Sequence, residues 1–387
     1  MAAQALELSV EALRARRGTK WHRYPDDVLG AWVADMDFTV AAPVREAIAR
    51  VVREGDYGYA ARLGEQGLAA AFEHRMRTHF GWQADPALVQ PVSDLIQALF
   101  AVIQAFTAHG DGVVVQTPIY PPFLTTIAQT GRRLNDNPLL DDGSGFVLDL
   151  DGLQAQVDER TRILLVCNPH NPTGRVFTRA ELLALGELAV KRDLVVVCDE
   201  IHADLVYPGR EFVPFATLPR DIAERTITIT SATKGFNIPG LKCGVMYFGS
   251  AGLKQRFHEV IPERLLGQVN VLGVDATVAA WREGQPWLDQ VMEQLARNRA
   301  RVAQFIAAEL PTVRHHSPEG TFLAWLDCRE LNLEPSPYRF FLDRARVGLN
   351  DGADFGTNGE TCVRLNFGTS TAILDQILDR MLSVIPA

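Results

Sequence analysis

Short hydrophobic runs alternate with helical segments between about residues 90 and 250. These runs are largely apolar or β-branched throughout, and polar residues do not alternate strictly with apolar ones. This pattern predicts parallel strands that helices cover on both faces. It therefore predicts an α/β fold, in which ligands bind at the carboxyl ends of the strands. The runs are GVVVQ (112–116), RILLVC (162–167), DLVVVC (193–198) and RTITIT (225–230).

The pattern changes after residue 285. Residues 287–310 have the period of one long amphipathic helix, with Leu288, Val291 and Leu295 on its apolar stripe. Shorter strand-like pieces follow at 321–328 and 361–367. We therefore expect a smaller α+β domain beside the large one. The predicted division is a large domain of residues 46–285 and a small domain formed by both termini, 1–45 and 286–387.

Composition limits the classes of function. The chain has 387 residues, 47% of them hydrophobic, and a net charge of −9. It can bury a large core, and it lacks a basic run of the kind that binds nucleic acid. No apolar run reaches the roughly 20 residues that span a bilayer, and the N-terminus lacks the order of a secretory signal. We predict a cytoplasmic protein with neither a nucleic-acid nor a membrane partner.

The five cysteines are scattered, and none is spaced as CxxC. This arrangement predicts reduced, mostly buried thiols and no metal site.

Asp199 directly follows the predicted strand 193–198. A carboxylate at the end of a buried hydrophobic strand needs a cation or a hydrogen-bond donor as its partner. The protonated ring nitrogen of pyridoxal 5′-phosphate (PLP) would be both, with a Coulomb attraction of roughly 4 kcal/mol at about 4 Å and an effective dielectric constant of about 20. The alternative is that Asp199 only caps a helix.

Lys234 lies in SATKGFNIPGLKCG (231–244), between a predicted strand and a turn rich in Gly and Pro. The hydroxyl residues Ser231 and Thr233 precede it, which suits an amine held beside a phosphate. Burial would lower its pKa, as a lysine that forms a Schiff base requires. The alternative is an ordinary surface lysine.

Three further segments carry candidate binding residues. NPHNPTG (168–174) predicts a rigid loop from which Asn171 can direct its amide across a ligand. Ser93 and Asp94 open a predicted helix, whose free backbone N–H groups form an anion site suited to a phosphate. Arg364 lies in an apolar strand, where its planar guanidinium would bind a carboxylate or form an internal salt bridge.

Together these motifs resemble the fold type I PLP enzymes of the aspartate aminotransferase superfamily. NPHNPTG, DEIHADLVY (199–207), SATKGFNIPGLKCG and CVRLNF (362–367) occur in family order. The resemblance implies a mostly parallel, seven-stranded sheet covered by helices, and PLP as cofactor. It implies these roles: Lys234 as the Schiff-base lysine, Asp199 on the ring nitrogen, Asn171 and His202 near the ring 3′-oxygen, Tyr120 stacked on the ring, Ser231, Thr233, Ser93, Asp94 and Leu95 around the phosphate, and Arg364 on the substrate carboxylate.

Other segments look like the MalY/PatB group of cystathionine β-lyase-like C–S lyases. They are WVADMDF (32–38), DYGYA (56–60), FGW (80–82) and PEGTFLAWLD (318–327). In that group the tyrosine equivalent to Tyr59 reaches the phosphate in the neighbouring subunit, which implies a homodimer with shared sites. The resemblance also implies that Ala34 lies at the substrate.

The chain departs from the group at the phosphate end and at the substrate entrance. Ser93, Asp94 and Leu95 replace a glycine and small apolar residues, so we expect Asp94 to turn its carboxylate away and offer only its N–H. Lys242 stands where many aminotransferases have a phosphate-binding arginine and would compensate. Thr233 replaces a serine, and Asn350-Asp351-Gly352 replaces a Pro-Gly turn.

The resemblance implies α,β-elimination from cystathionine or another cysteine S-conjugate, with a thiol, pyruvate and ammonia as products. Transamination of a small amino acid is the alternative, because it begins with the same removal of the Cα proton. A specialised biosynthetic reaction, such as decarboxylation coupled to deamination, is a third possibility, and a regulatory sensor is a fourth.

Overall fold

The computed structural model describes residues 6–58 and 67–385. The helices are α1 Val10–Arg14, α2 Thr19–His22, α3 Ala42–Glu54, α4 Leu68–Phe80, α5 Leu95–Phe106, α6 Pro121–Gln129, α7 Leu150–Gln156, α8 Arg179–Lys191, α9 Arg220–Ala223, α10 Ala232–Gly235, α11 Ala251–Val260, α12 Glu263–Leu266, α13 Val271–Glu283, α14 Gln285–Glu309, α15 Pro337–Phe340 and α16 Thr371–Ser383.

The strands are β1 Leu29–Gly30, β2 Val89–Val92, β3 Gly112–Val115, β4 Arg133–Asp136, β5 Leu140–Asp141, β6 Phe146–Val147, β7 Thr161–Cys167, β8 Val195–Asp199, β9 Thr226–Thr230, β10 Gly244–Phe248, β11 Leu323–Asp327, β12 Val347–Gly348, β13 Asn350–Asp351 and β14 Cys362–Asn366.

A seven-stranded sheet forms the centre, in the order β2-β10-β9-β8-β7-β3-β4. The five strands from β9 to β4 are parallel, and only β10 runs antiparallel to its neighbours β9 and β2. The α/β class and the four predicted strands are confirmed. The sequence did not predict β2, β4 and β10. Of these, β2 and β4 are edge strands with proline or polar residues, as edge positions tolerate.

The helices on the sheet begin where local signals predict. Before α8, Thr178 and Glu181 form a reciprocal capping box, which satisfies backbone N–H groups at the helix start. Leu182, Leu185 and Leu188 of this helix are buried in one core cluster with the outer face of β7 and β8. The helix therefore covers one face of the parallel strands.

A second, three-stranded antiparallel sheet has the order β11-β14-β13. The N-terminal strand β1 pairs in parallel with β12, so that Leu29 faces Val347. This pairing brings the two ends of the chain together, which supports a small domain formed by both termini. The division at residues 46 and 285 stays a prediction.

All five cysteines are buried and free. Across residues 6–58 and 67–385, no helix is both long and apolar enough to cross a membrane. The same part of the chain contains no cluster of side chains suited to a metal ion.

Candidate active site

A cavity of about 280 Å³ lies at the carboxyl ends of the parallel strands β7, β8 and β9. Every site residue predicted from the sequence that belongs to the described chain lines it. They are Ala34, Ser93, Asp94, Leu95, Tyr120, Asn171, Asp199, His202, Ser231, Thr233, Lys234, Lys242 and Arg364. Tyr59 lies outside the described residues. The thirteen residues that line the cavity come from seven separate parts of the chain, which the fold brings to one place.

Lys234 lies on the short helix α10, directly after β9. Its Nζ donates a hydrogen bond to the carbonyl oxygen of Ala34 over 2.6 Å. Burial lowers the pKa of Lys234 to about 8, while the nearby carboxylate of Asp35 acts in the opposite direction. The amine is therefore buried and is neutral more often than a surface lysine at neutral pH, as covalent chemistry at nitrogen requires.

Asp199 ends β8 and points into the cavity. Its Oδ1 accepts a hydrogen bond from the N–H of Ile201 over 3.0 Å, but residues 201–204 form a turn and not a helix. A helix cap therefore does not explain this residue. Burial raises the pKa of Asp199 to about 7, so the carboxylate needs a cationic partner to remain charged. A protonated ring nitrogen would be such a partner.

His202 is buried at 2% exposure, and its ring meets Phe322 edge to face with 6.0 Å between centroids. Burial lowers its pKa to about 3, so the ring is neutral at physiological pH. Within the described chain its Nδ1 is buried without a hydrogen-bond partner. A buried polar atom without a hydrogen-bond partner is energetically unfavourable, and a bound ligand would supply the missing partner.

Arg364 lies on β14 and is buried at 2% exposure. Its Nη1 donates to Oδ1 of Asn171 over 2.9 Å, and its Nη2 donates to Oδ1 of Asn350 over 2.5 Å. The guanidinium lies over the ring of Phe355, 5.0 Å from its centroid. These contacts hold it without a carboxylate partner among the described residues, so the alternative of an internal salt bridge is wrong. A cation fixed by neutral groups in a cavity is suited to an anionic ligand.

Asp94 caps the helix α5 with its carboxylate. Whether the carboxylate turns away from a bound phosphate stays a prediction. Oδ1 accepts from the N–H of Ile96 over 2.8 Å, and Oδ2 pairs with Nζ of Lys242 over 2.6 Å. Asp is a favoured N-cap, and the ion pair adds to this preference, so the side chain folds back onto α5. Lys242 is thus partnered by Asp94, and the net charge of this pair toward a phosphate is about zero.

Ser231 and Thr233 lie opposite this pair. Oγ of Ser231 donates to the carbonyl oxygen of Cys243 over 2.6 Å and accepts from the N–H of Thr233 over 3.0 Å. Both hydroxyl groups line the cavity between Lys234 and the start of α5. The donors available to a phosphate are therefore the hydroxyl of Thr233, Lys242 and the backbone at Ser93, Asp94 and Leu95.

The sequence reasoning missed the residues that hold segment 32–38. Asn366 donates to the carbonyl oxygens of Val33 and Asp35 over 2.6 and 2.8 Å, and Asn237 binds both the N–H and the carbonyl of Met36. Lys20 forms a buried ion pair with Asp37 over 2.7 Å. Two aspartates in the apolar stretch WVADMDF were the available signal, but no local pattern indicates their distant partners. This network fixes the Ala34 carbonyl that holds Lys234.

These residues fit PLP. The cavity contains an amine with a lowered pKa, a buried carboxyl group that needs a cation, and donors for a phosphate at its other end. The unpaired Nδ1 of His202 lies in the wall between them. Burying any of these groups without a partner is energetically unfavourable. PLP offers a different functional group as the partner of each.

Comparison with known proteins agrees with this reading. A family model described as aminotransferase class I and II matches residues 33–381. The chain is 34% identical to the cystathionine β-lyase PatB of Bacillus subtilis, over 92% of each chain, and 34% identical to a cystathionine β-lyase of Corynebacterium glutamicum, over 97% of this chain and 99% of that one.

Among solved structures, cystalysin from Treponema denticola, which contains a PLP cofactor, is similar with a TM-score of 0.90. It is 26% identical, over 98% of this chain and 97% of that chain. The chain therefore belongs to the class I and II aminotransferase family of PLP-dependent enzymes, and within that family to the MalY/PatB group.

Proposed function

We propose that this protein is a PLP-dependent carbon–sulfur β-lyase that acts on cystathionine or another cysteine S-conjugate. The overall reaction consumes one water and gives a thiol, pyruvate and ammonia. The observation that carries the proposal is the convergence of Lys234, Asp199 and Arg364 on one cavity. The relatives named as cystathionine β-lyases favour elimination over the other reactions of the family.

Arg364 would bind and orient the substrate. Its Nη atoms are fixed by Asn171 and Asn350, and its Nε is buried without a partner among the described residues. A substrate carboxylate would accept charge-assisted hydrogen bonds from this group, which are roughly twice as strong as neutral ones. Orienting the carboxylate in this way would aim the Cα–H bond toward Lys234.

Lys234 would remove the Cα proton. Its amine is held at the carbonyl of Ala34, and its pKa of about 8 suits a general base near neutral pH. When bound, PLP supplies an electron sink for the charge left at Cα, and Asp199 would keep its ring nitrogen protonated. Tyr120, which is largely buried in the same wall, would stack on the ring, and His202 would contact it from the side of Asn171.

Transamination is the second candidate, because the matching family model is that of the aminotransferases. It needs the same three residues and differs in returning the proton to the cofactor. A specialised reaction, such as decarboxylation coupled to deamination, would also use them. A sensor without activity would not need a lysine of lowered pKa.

We further propose a cytoplasmic homodimer in which Tyr59 of each subunit reaches the phosphate of the other. The exposed large hydrophobic residues support a covered surface near the cavity. Val52 and Tyr57 precede Tyr59, and Leu265 lies beside the start of α5, where Gln97 donates to its carbonyl. Exposed apolar side chains of this kind are candidates for a subunit interface.

A product screen tests the function. The purified holoenzyme is incubated with L-cystathionine and a panel of cysteine S-conjugates, and pyruvate and thiol are measured together. Elimination predicts equal amounts of both from at least one substrate. Failure across the panel, with PLP bound, would refute the assignment.

A further inference from the structure

A second cavity, of about 520 Å³, shares no lining residue with the catalytic one. Its walls come from residues 144–147, the end of the NPHNPTG loop with Arg175, the segment 207–210, residues 315–319, and Arg299 on α14. The loop thus presents Asn171 to the catalytic cavity and Arg175 to this one. None of the reactions considered above uses any residue of the second cavity.

The walls are fixed by backbone hydrogen bonds. The N–H groups of Glu319 and Gly320 both donate to the carbonyl of Gly174, over 2.8 and 2.9 Å, and the N–H of Tyr207 donates to the carbonyl of Glu319 over 2.9 Å. Gly174 has a φ of 71°, and a Cβ there would lie 2.2 Å from Cβ of Pro318. The loop end, the segment 207–210 and residues 315–319 are therefore held together, and this side of the cavity is preformed.

The cavity carries an excess of positive charge. Glu319 is partnered by Arg175 at 3.1 Å, by Arg210 at 2.6 Å and by the N–H of Val176 at 2.8 Å, and Glu181 pairs with Arg175 at 2.6 Å, so the charges of these two arginines and two glutamates cancel. Arg299 lies over the ring of Tyr207, 4.9 Å from its centroid. In the part of the chain that the structure describes, Arg299 has no carboxylate partner. Its charge is the one that the surrounding protein leaves unbalanced.

Three buried nitrogen atoms of the lining residues lack a hydrogen-bond partner among the described residues. They are Nε of Arg175, Nε of Arg299 and Nε2 of His315. The two guanidinium groups can only donate. Nδ1 of His315 lies 3.2 Å from the carbonyl oxygen of Trp325, which can only accept, so Nδ1 carries the proton. Burial lowers the pKa of His315 to about 4, so its Nε2 is a bare acceptor at neutral pH.

We propose that this cavity binds a small oxyanion that also carries a hydrogen-bond donor of its own. The oxyanion would accept from Arg299 and Arg175, and its donor would satisfy Nε2 of His315. Hydrogen phosphate is an anion with both properties, and a small hydroxy carboxylate shares the same chemistry. An anion without a donor would leave His315 unsatisfied.

Calorimetric titration of the holoenzyme with hydrogen phosphate and with sulfate tests the proposal without any mutation. At slightly alkaline pH the two anions have the same shape and charge, and only phosphate keeps a proton. We expect phosphate to saturate one site per chain and sulfate to bind at least about tenfold more weakly, since an unsatisfied buried acceptor costs that much. Equal binding of the two, or no binding of phosphate, would overturn the proposal.

Variants locate the site. Arg299→Gln should weaken phosphate binding at least about tenfold, while Arg297→Gln, an exposed arginine on the same helix, should not. His315→Phe should remove the preference for phosphate over sulfate. Arg364→Lys, in the catalytic cavity, should leave phosphate binding unchanged. Loss in Arg364→Lys with retention in Arg299→Gln would refute the assignment to this cavity.

A third titration distinguishes the sources of the ligand. Glycolate carries a hydroxyl donor and acetate does not. Competition of glycolate, but not acetate, with phosphate in the Arg364→Lys variant would indicate that hydroxy carboxylates occupy the site. Competition by neither would restrict the ligand to hydrogen phosphate, and equal competition by both would contradict the role of His315.

Discussion

Arg364 donates a hydrogen bond from Nη1 to Oδ1 of Asn171 over 2.9 Å, and so joins the last strand of the small sheet to the loop after β7. The two residues are 193 positions apart in the sequence. Because Asn171 accepts with its oxygen, its NH₂ group is left to donate elsewhere in the cavity. The contact thus orients both a substrate-binding cation and an amide suited to the ring 3′-oxygen of PLP.

Arg364→Lys should raise KM for the amino-acid substrate at least about tenfold, with a smaller effect on kcat. Lysine keeps the charge but cannot contact Asn171, Asn350 and a carboxylate at once. Steady-state kinetics measure the change, and Arg339→Lys, an exposed substitution, serves as the control. An unchanged KM would show that Arg364 does not bind substrate.

Asp199→Asn should lower kcat by about a thousandfold, because loss of a pair worth roughly 4 kcal/mol would let the ring nitrogen lose its proton. The variant should still bind PLP, since Lys234 and the phosphate contacts remain. Cofactor absorbance and turnover are measured together, with the exposed Asp151→Asn as control. Turnover near that of the wild type would contradict the role of Asp199.

The pH dependence of Lys234 can be measured in the cofactor-free protein. Burial lowers its pKa to about 8, so its acetylation rate should rise with pH to a midpoint of about 8, compared with about 10.4 for an ordinary lysine in the unfolded chain. Asp35 favours the protonated amine, so Asp35→Asn should move the midpoint to lower pH. Peptide mass spectrometry follows the reaction, and a shift to higher pH would be inconsistent with this electrostatic account.

The Lys20–Asp37 pair is buried, with side-chain exposures of 2% and 3%. Lys20→Met would leave the carboxylate without its cation, so the free energy of unfolding should fall by about 3–5 kcal/mol. The exposed pair Arg53–Glu46 is the matched comparison, and Arg53→Met should cost at most about 1 kcal/mol. Chemical denaturation measures both. Similar small losses would show that the buried pair does not stabilise segment 32–38.

The parts of the site that follow strands were predictable because local signals mark them. Asp199 ends the buried strand β8, and Asn171 and Lys234 lie in the segments that follow the buried strands β7 and β9. Parallel strands bring their carboxyl ends to one edge. The partners of segment 32–38 were not predictable. Asn366 and Lys20 are polar residues whose contacts depend on packing between distant parts of the chain, and sequence periodicity carries no information about such contacts.

The partners of Asp94 were not predictable for a related reason. Its turn away from a phosphate stays a prediction, while the cap on α5 and the ion pair with Lys242 hold its carboxylate in the structure. The residue is favoured locally and is accommodated by a lysine 148 positions away. Family resemblance located the position without indicating how the charge is balanced.

The most direct test of the central claim is the number of pyruvate molecules that each active site forms from one cysteine S-conjugate without any added keto acid. Elimination regenerates the enzyme in every cycle, so the holoenzyme should form many equivalents of pyruvate, each matched by one thiol, and Lys234→Ala should form none. A reaction that stops at one equivalent of keto acid, with the cofactor left in its pyridoxamine form and no thiol released, would contradict the account and identify an aminotransferase.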